Sequence, residues 1–155
     1  MPMPISTMSD VERRVVYEIR ALRAEHIRTG ATGLLQDPVS LVRHLIVLAH
    51  GSTKLRFEMI AEELGVEPRT LERAFKSRFG MNMKRSAGET RLRFAQYLLA
   101  TDPSHKISSI ASILGYESHQ AFIRFFRRRT GTTPARWADQ QRLVHDSSET
   151  APHVG

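Results

Sequence analysis

The 155-residue chain holds 23 Lys+Arg against 16 Asp+Glu, for a net charge of +7 and a pI near 10.5, and it contains no cysteine. Disulfides, thiolate nucleophiles and cysteine-ligated zinc are therefore excluded. A mean hydropathy of −0.33, without any apolar run near the roughly 20 residues of a bilayer span, excludes a membrane helix and fits about one domain. Residues 51–145 concentrate the basic excess, with 17 Lys+Arg against 9 Asp+Glu, which suggests a polyanionic partner; a merely solvated surface is the alternative.

The opening MPMPISTMSD has neither a basic n-region nor an apolar h-region, so the cytoplasm is the expected location. Pro4–Ser9 and the tail from His145 are polar and Pro/Ser/Thr-bearing, and both ends are expected to be disordered. Between them, Val11, Val15, Ile19 and Leu22 recur at helical spacing, which predicts an amphipathic helix over 10–29 with Asp10 as N-cap and Gly30 as stop. That apolar stripe could pack on its own domain or pair two chains as a homodimer. After the connector TGATGLLQDP, Asp37 caps and Pro38 opens a strongly apolar helix ending near Gly51. From Lys54 to about His145 the pattern is helix after helix without strand alternation. The fold class is all-α.

A repeat organises that region. IAEELGV (Ile60–Val66) and IASILGY (Ile110–Tyr116) share an Ile-Ala start, then Leu-Gly and an apolar residue, at an offset of 50 residues. Leu71, Phe75, Phe79 and Gly80 follow the first copy; Phe122, Phe126 and Gly131 follow the second. Each unit is a short helix, a glycine turn and a longer helix. Ala61 and Ala111 are small where the helices cross, and Gly65 and Gly115 admit positive φ at the turn. This is the pattern of a helix-turn-helix, present twice.

With these residues the chain resembles the DNA-binding domain of the AraC/XylS family of bacterial transcription regulators. The resemblance covers about Phe57 to Arg142 and rests on the repeat, on Arg91, Leu92, Ala95, Leu98 and Leu99 between the units, and on the closing Gly131, Thr133 and Pro134. It implies two helix-turn-helix subdomains, at about 57–80 and 107–131, joined by a long linker helix at about 83–100. The DNA-binding domain would then span 37–142, preceded by the extra N-terminal helix and connector (1–36) and followed by a disordered tail (143–155). Several residues depart from the family pattern. Ser86, Ala87 and Thr90 are small, and Gly88 lowers helix propensity by about 1 kcal/mol, so a less rigid linker is expected. Arg56 and Lys106 stand where Ser or Thr usually caps the first helix of each unit, and Thr130 replaces an aromatic.

In the first unit, Leu71 and Phe75 point inward, which leaves Arg69, Thr70, Glu72, Arg73 and Lys76 facing out. The resemblance implies that Arg69, Glu72 and Arg73 face bases. Arginine suits guanine O6 and N7, a carboxylate suits the cytosine amine, and Lys76 suits phosphate. In the second unit Ser118, His119, Gln120, Ile123 and Arg124 match the family's DNA-facing positions, and Arg127 and Arg128, with Arg129, flank the helix for backbone contacts. Phe122 and Phe126 form the core beneath, with Phe125 at its edge. The expected partner is double-stranded DNA, read in two major-groove segments about 34 Å apart if the linker is straight. The resemblance also implies RNA polymerase as a partner, commonly with activation.

Seven histidines (His26, His44, His50, His105, His119, His145, His153) lack the i, i+4 spacing of a helical zinc site, and Glu58, Glu62 and Glu63 are expected on an exposed helix face. Neither a phosphate-loop nor a nucleophile-elbow motif occurs. No metal, cofactor or catalysis is expected. Two other readings are a basic protein-interaction module and a non-specific DNA-binding protein. The roughly 50 residues ahead of the first unit are too few for a β-barrel effector pocket, so the chain reads either as a stand-alone regulator or as a fragment of a longer one.

Overall fold

The computed structural model describes residues 4–30, 33–102 and 104–149. Among these residues the secondary structure is helical throughout, in α1 (Asp10–Thr29), α2 (Pro38–Leu48), α3 (Phe57–Leu64), α4 (Pro68–Phe79), α5 (Met83–Thr101), α6 (Ile107–Ile113), α7 (His119–Thr130) and α8 (Pro134–Glu149). Two compact units divide the chain, residues 1–91 and 92–155, and each has its own apolar core.

The core of the first unit is built on α2, whose Leu41, Val42, Leu45 and Ile46 are completely buried. Asp37 caps this helix by accepting from the Ser40 amide, with Pro38 in the first turn. Val15, Val16 and Ile19 of α1 join the same core, as do Met59, Ile60 and Ala61 of α3, Leu71 and Phe75 of α4, and Met83 and Ala87 of α5. The stripe on α1 is thus packed within its own unit, with Val11 and Leu22 partly buried against the same core. Burying each of these large side chains contributes about 1.5–3 kcal/mol.

The N-terminal segment differs from expectation. Ile5–Thr7 form a single 3-10 turn, and Met8 is only 5% exposed in the first core. The cap of α1 is Ser9, which accepts from the Glu12 amide, and Asp10 is the first helical residue. The C-terminal end differs likewise, because α8 continues to Glu149 through residues assigned to the tail. Residues 150–155, like Ala31 and Thr32 of the connector, lie outside the described residues.

The turn after α2 packs closely on α5. Gly51 lies in the turn after α2 at φ 64°, and a Cβ built there would stand 2.1 Å from the Ala87 carbonyl oxygen and 2.8 Å from the Arg91 amide nitrogen. Arg91 also donates from Nε to the Gly51 carbonyl at 2.7 Å. Turn and helix approach backbone to backbone, and Ala87, 3% exposed, is buried at this contact.

In the second unit Phe122, Phe126, Ile110 and Leu114 are completely buried, with Ala95 and Leu99 of α5 and Ala138 of α8 around them. Trp137 meets Phe126 edge-on at 6.0 Å. Thr133 caps α8 through the Arg136 amide, ahead of Pro134. Thr130, which stands where the resemblance implies an aromatic, lies at the end of α7. Its hydroxyl is within donating distance of the carbonyls of Phe126 and Thr132 and accepts from the Thr132 amide, closing the turn with polar bonds.

Candidate nucleic-acid interface

Each unit presents one amphipathic helix of twelve residues, α4 and α7, on a buried aromatic seam. On α4, Leu71 and Phe75 are 2% and 0% exposed, and Arg69, Thr70, Glu72, Arg73 and Lys76 all lie on the exposed side. The Gly65 turn, at φ 68°, ends α3 and lets α4 leave at a new angle. Glu67 then caps α4, a feature the sequence reading missed: its carboxylate accepts from the Thr70 amide at 2.8 Å and from the Thr70 hydroxyl at 3.0 Å. These bonds, with the backbone amide first, hold the Glu67 carboxyl below the usual glutamate range. Thr70 therefore serves the helix start as well as the outer face. Glutamate three residues before a threonine, directly ahead of Pro68, was the available signal.

The far end of α4 is also pinned. Arg78 pairs with Asp37 and reaches the Ser40 hydroxyl at 3.0 Å, tying α4 to the capped start of α2. Led by the Arg78 hydrogen bond, these contacts hold the Asp37 carboxyl at about 2. Arg43 lies over the Phe79 ring, 4.6 Å from its centre. A cleft of about 590 Å³ opens beside the outer face of α4, lined by Arg69, Glu72, Arg73 and Lys76 together with Glu58, Asn82 and Lys84. Positive charge predominates there, with two carboxylates set among it.

On α7, His119, Gln120, Arg124, Arg127 and Arg128 are exposed and Ile123 is partly so. Ser118 is the N-cap, accepting from the Ala121 amide at 3.3 Å. Arg129 is set apart from the other arginines, for its guanidinium lies 5.4 Å from the centre of the half-buried Phe125 ring, which also packs on Tyr116. The sequence-chosen residues thus gather as two exposed helix faces, one in each unit. One reading of the carboxylates is corrected. Glu58 and Glu62 are exposed, but the Glu63 side chain is only 7% exposed, beneath Arg20 and Arg23. His44 is at the surface, 3.6 Å from Glu18. Among the described residues no cluster of His, Asp or Glu could hold a metal ion, and no helix is long and apolar enough to cross a membrane.

A family model described as a helix-turn-helix domain matches residues 60–140, just over half of the chain and both of its repeated units. The chain belongs to the AraC/XylS family. Curated relatives include the HTH-type transcriptional regulator RipA of Corynebacterium glutamicum, 32% identical over 96 residues, which are 62% of this chain and 28% of that protein. Another is the HTH-type transcriptional activator RhaR of Salmonella arizonae, 36% identical over 69 residues, 44% of this chain and 24% of that protein. The AraC/XylS match therefore spans about a quarter of the length of these relatives. Among solved structures, the DNA-binding domain of the global transcriptional factor AdpA, in complex with a target DNA, superposes with a TM-score of 0.64 at 25% identity. That likeness covers 71% of this chain and 97% of that one. The C-terminal domain of AraT, a response regulator from Geobacillus stearothermophilus, gives 0.63 at 26% identity over 67% of this chain and 85% of that one. The all-α architecture is that of these AraC-type domains.

Proposed function

We propose that the protein is a sequence-specific double-stranded DNA-binding regulator of transcription that lays α4 and α7 into two major-groove segments of one site. The observation that carries this reading is the pair of exposed polar faces on α4 and α7, each backed by buried residues: Leu71 and Phe75 in one, Phe122 and Phe126 in the other. A helix of this kind fits the major groove, which is about 12 Å wide. Arg69 and Arg73 pair with guanine and Glu72 accepts from a cytosine amine, while Lys76 meets phosphate. In the second unit Gln120 pairs with adenine, Ile123 touches a thymine methyl group, and Arg124 pairs with guanine. Ser118 and His119 at the helix start, and Arg127 and Arg128 at its end, hold the backbone. The AdpA domain, with its target DNA, supports the same mode here. RNA polymerase is the proposed partner and activation the proposed sign, both from family resemblance.

Selection from a pool of random duplex DNA at near-physiological salt, followed by sequencing, tests the reading. A motif with two blocks is expected, with Arg73→Ala relaxing one and Arg124→Ala the other, each by about 1–3 kcal/mol of discrimination. Tight binding without a motif would make the charge architectural. No binding at all would favour the protein-interaction reading.

A further inference from the structure

We propose that α1 is a brace that sets the first reading helix by holding α3 at both ends, with Glu12, Arg20 and Arg23 as its positioning residues. The proposal rests on α4 reading DNA. α3 has eight residues, fewer than the ~12–15 at which an isolated helix becomes even marginally stable. Its N-cap residue is Arg56, whose side chain makes no capping bond. The guanidinium turns instead to Glu12, with Nε 3.2 Å from Oε1 and 3.1 Å from Oε2, and Nη2 2.7 Å from Oε2. Glu12 is 3% exposed and is oriented by the Ser9 hydroxyl, which donates to Oε1 at 3.1 Å.

At the other end of α3, Arg20 Nε stands 3.1 Å from the Glu63 carboxylate. Arg23 Nη2 donates to the Glu63 backbone carbonyl at 2.7 Å, satisfying one of the acceptors a helix end leaves open. Between these two ties, Val15, Val16 and Ile19 share the core with Met59, Ile60 and Ala61. Apolar contact alone tolerates sliding, whereas a bidentate carboxylate–guanidinium pair fixes both distance and direction. Two residues beyond Glu63 stands Gly65, where α3 turns into α4. A shift of α3 along α1 therefore passes directly to the helix carrying Arg69, Glu72 and Arg73. The brace lies wholly within residues 1–91, so its effect falls on the first unit.

The test uses the full chain. Wild type, Glu12→Gln, Arg20→Gln/Arg23→Gln and the double variant Glu12→Gln/Arg56→Ser are each put through the random-duplex selection, with far-UV circular dichroism as the control for folding. The wild type gives two blocks. The first two variants keep the block relaxed by Arg124→Ala and lose information in the block relaxed by Arg73→Ala, with affinity for the full site falling on the order of tenfold, the worth of about one base contact. The double variant, in which a serine hydroxyl caps α3 directly, regains the lost block. Retention of both blocks in Glu12→Gln and Arg20→Gln/Arg23→Gln overturns the brace, as does equal weakening of both blocks in a folded protein. Should a variant lose its helical signal, Arg23→Gln alone, a change at a half-exposed side chain, decides by the same criterion. A wild type without any motif refutes the DNA-reading function itself, and the brace falls with it.

Discussion

Replacing Gly51 with alanine is expected to destabilise the first unit far more than the same change at Gly65. Both glycines have nearly the same backbone, φ 64° and φ 68°, so the conformational cost is shared. For alanine it is about 1–2 kcal/mol, offset by about 0.4–1 kcal/mol from a less flexible unfolded chain. At Gly65 nothing lies within 4 Å of the new Cβ, and the net loss is about 0.5–1 kcal/mol. At Gly51 the Cβ would meet the Ala87 carbonyl oxygen at 2.1 Å and the Arg91 amide nitrogen at 2.8 Å, and both are backbone atoms that cannot swing aside. Overpacking adds about 1–3 kcal/mol. Pushing the turn away from α5 also stretches the charge-assisted bond from Arg91 to the Gly51 carbonyl, worth about 1.5 kcal/mol or more. The total is about 3–5 kcal/mol. Urea unfolding followed in parallel by far-UV circular dichroism and by the fluorescence of the single tryptophan measures it. Trp137 belongs to the second unit, so in Gly51→Ala the dichroism should begin to fall at lower urea than the fluorescence changes. A Gly51→Ala midpoint equal to that of Gly65→Ala would refute the close approach of turn and helix.

Other consequences can be checked singly. The folded Asp37 carboxyl lies at about 2 against an ordinary 3.8, so the stability from its bonds is present above pH 3.8 and is lost as pH falls towards 2; Asp37→Asn should flatten acid unfolding curves in that window. Arg127→Ala and Arg128→Ala should each lower the slope of log affinity against log salt by about 1 while leaving the selected motif unchanged. Glu72→Gln should bind random duplex more tightly but discriminate less at one position of the first block, as competition against scrambled DNA would report. Phe126→Ala should cost about 3–5 kcal/mol in the Trp137-reported transition, because Phe126 is completely buried against Trp137.

Much of this was legible in the sequence because it depends on local spacing. The Ile-Ala, Leu-Gly repeat and the phenylalanines behind it locate both α4 and α7, and Asp37-Pro38 and Thr133-Pro134 mark helix starts through side chains that cap their own turns. Apart from the caps at Ser9 and Glu67, which bond three residues ahead, the features that escaped depend on residues far apart in the chain. Met8 looks like part of a polar terminus until the core it enters is known. Glu63 looks like a solvated carboxylate until α1 lays two arginines over it. Arg56 reads as a poor cap, and so it is, yet its partner lies 44 residues away. Ala87 reads as weakness in a linker until the Gly51 turn, 36 residues earlier, is seen to pack on its backbone. Sequence periodicity reports which face of a helix is buried; it carries no record of which other segment buries it.

The arginine run on α7 illustrates why charge alone is a poor guide to function. Arg127, Arg128 and Arg129 occupy the last turn, where cations complement the partial negative charge of a helix C-terminus whether or not DNA is present. Arg129 is further engaged with the Phe125 ring. Part of the run thus has a structural reason, and the number of arginines cannot by itself separate a DNA reader from a soluble basic surface. The composition of the two faces separates them better. A surface built only to attract phosphate gains nothing from a carboxylate at its centre, yet Glu72 stands between Arg69 and Arg73 on the outer face of α4. Nor does such a surface gain from a half-exposed Ile123 beside Gln120. These residues cost affinity for a polyanion and add discrimination only where base edges are within reach, which is why the case for sequence-specific reading rests on them rather than on the net charge.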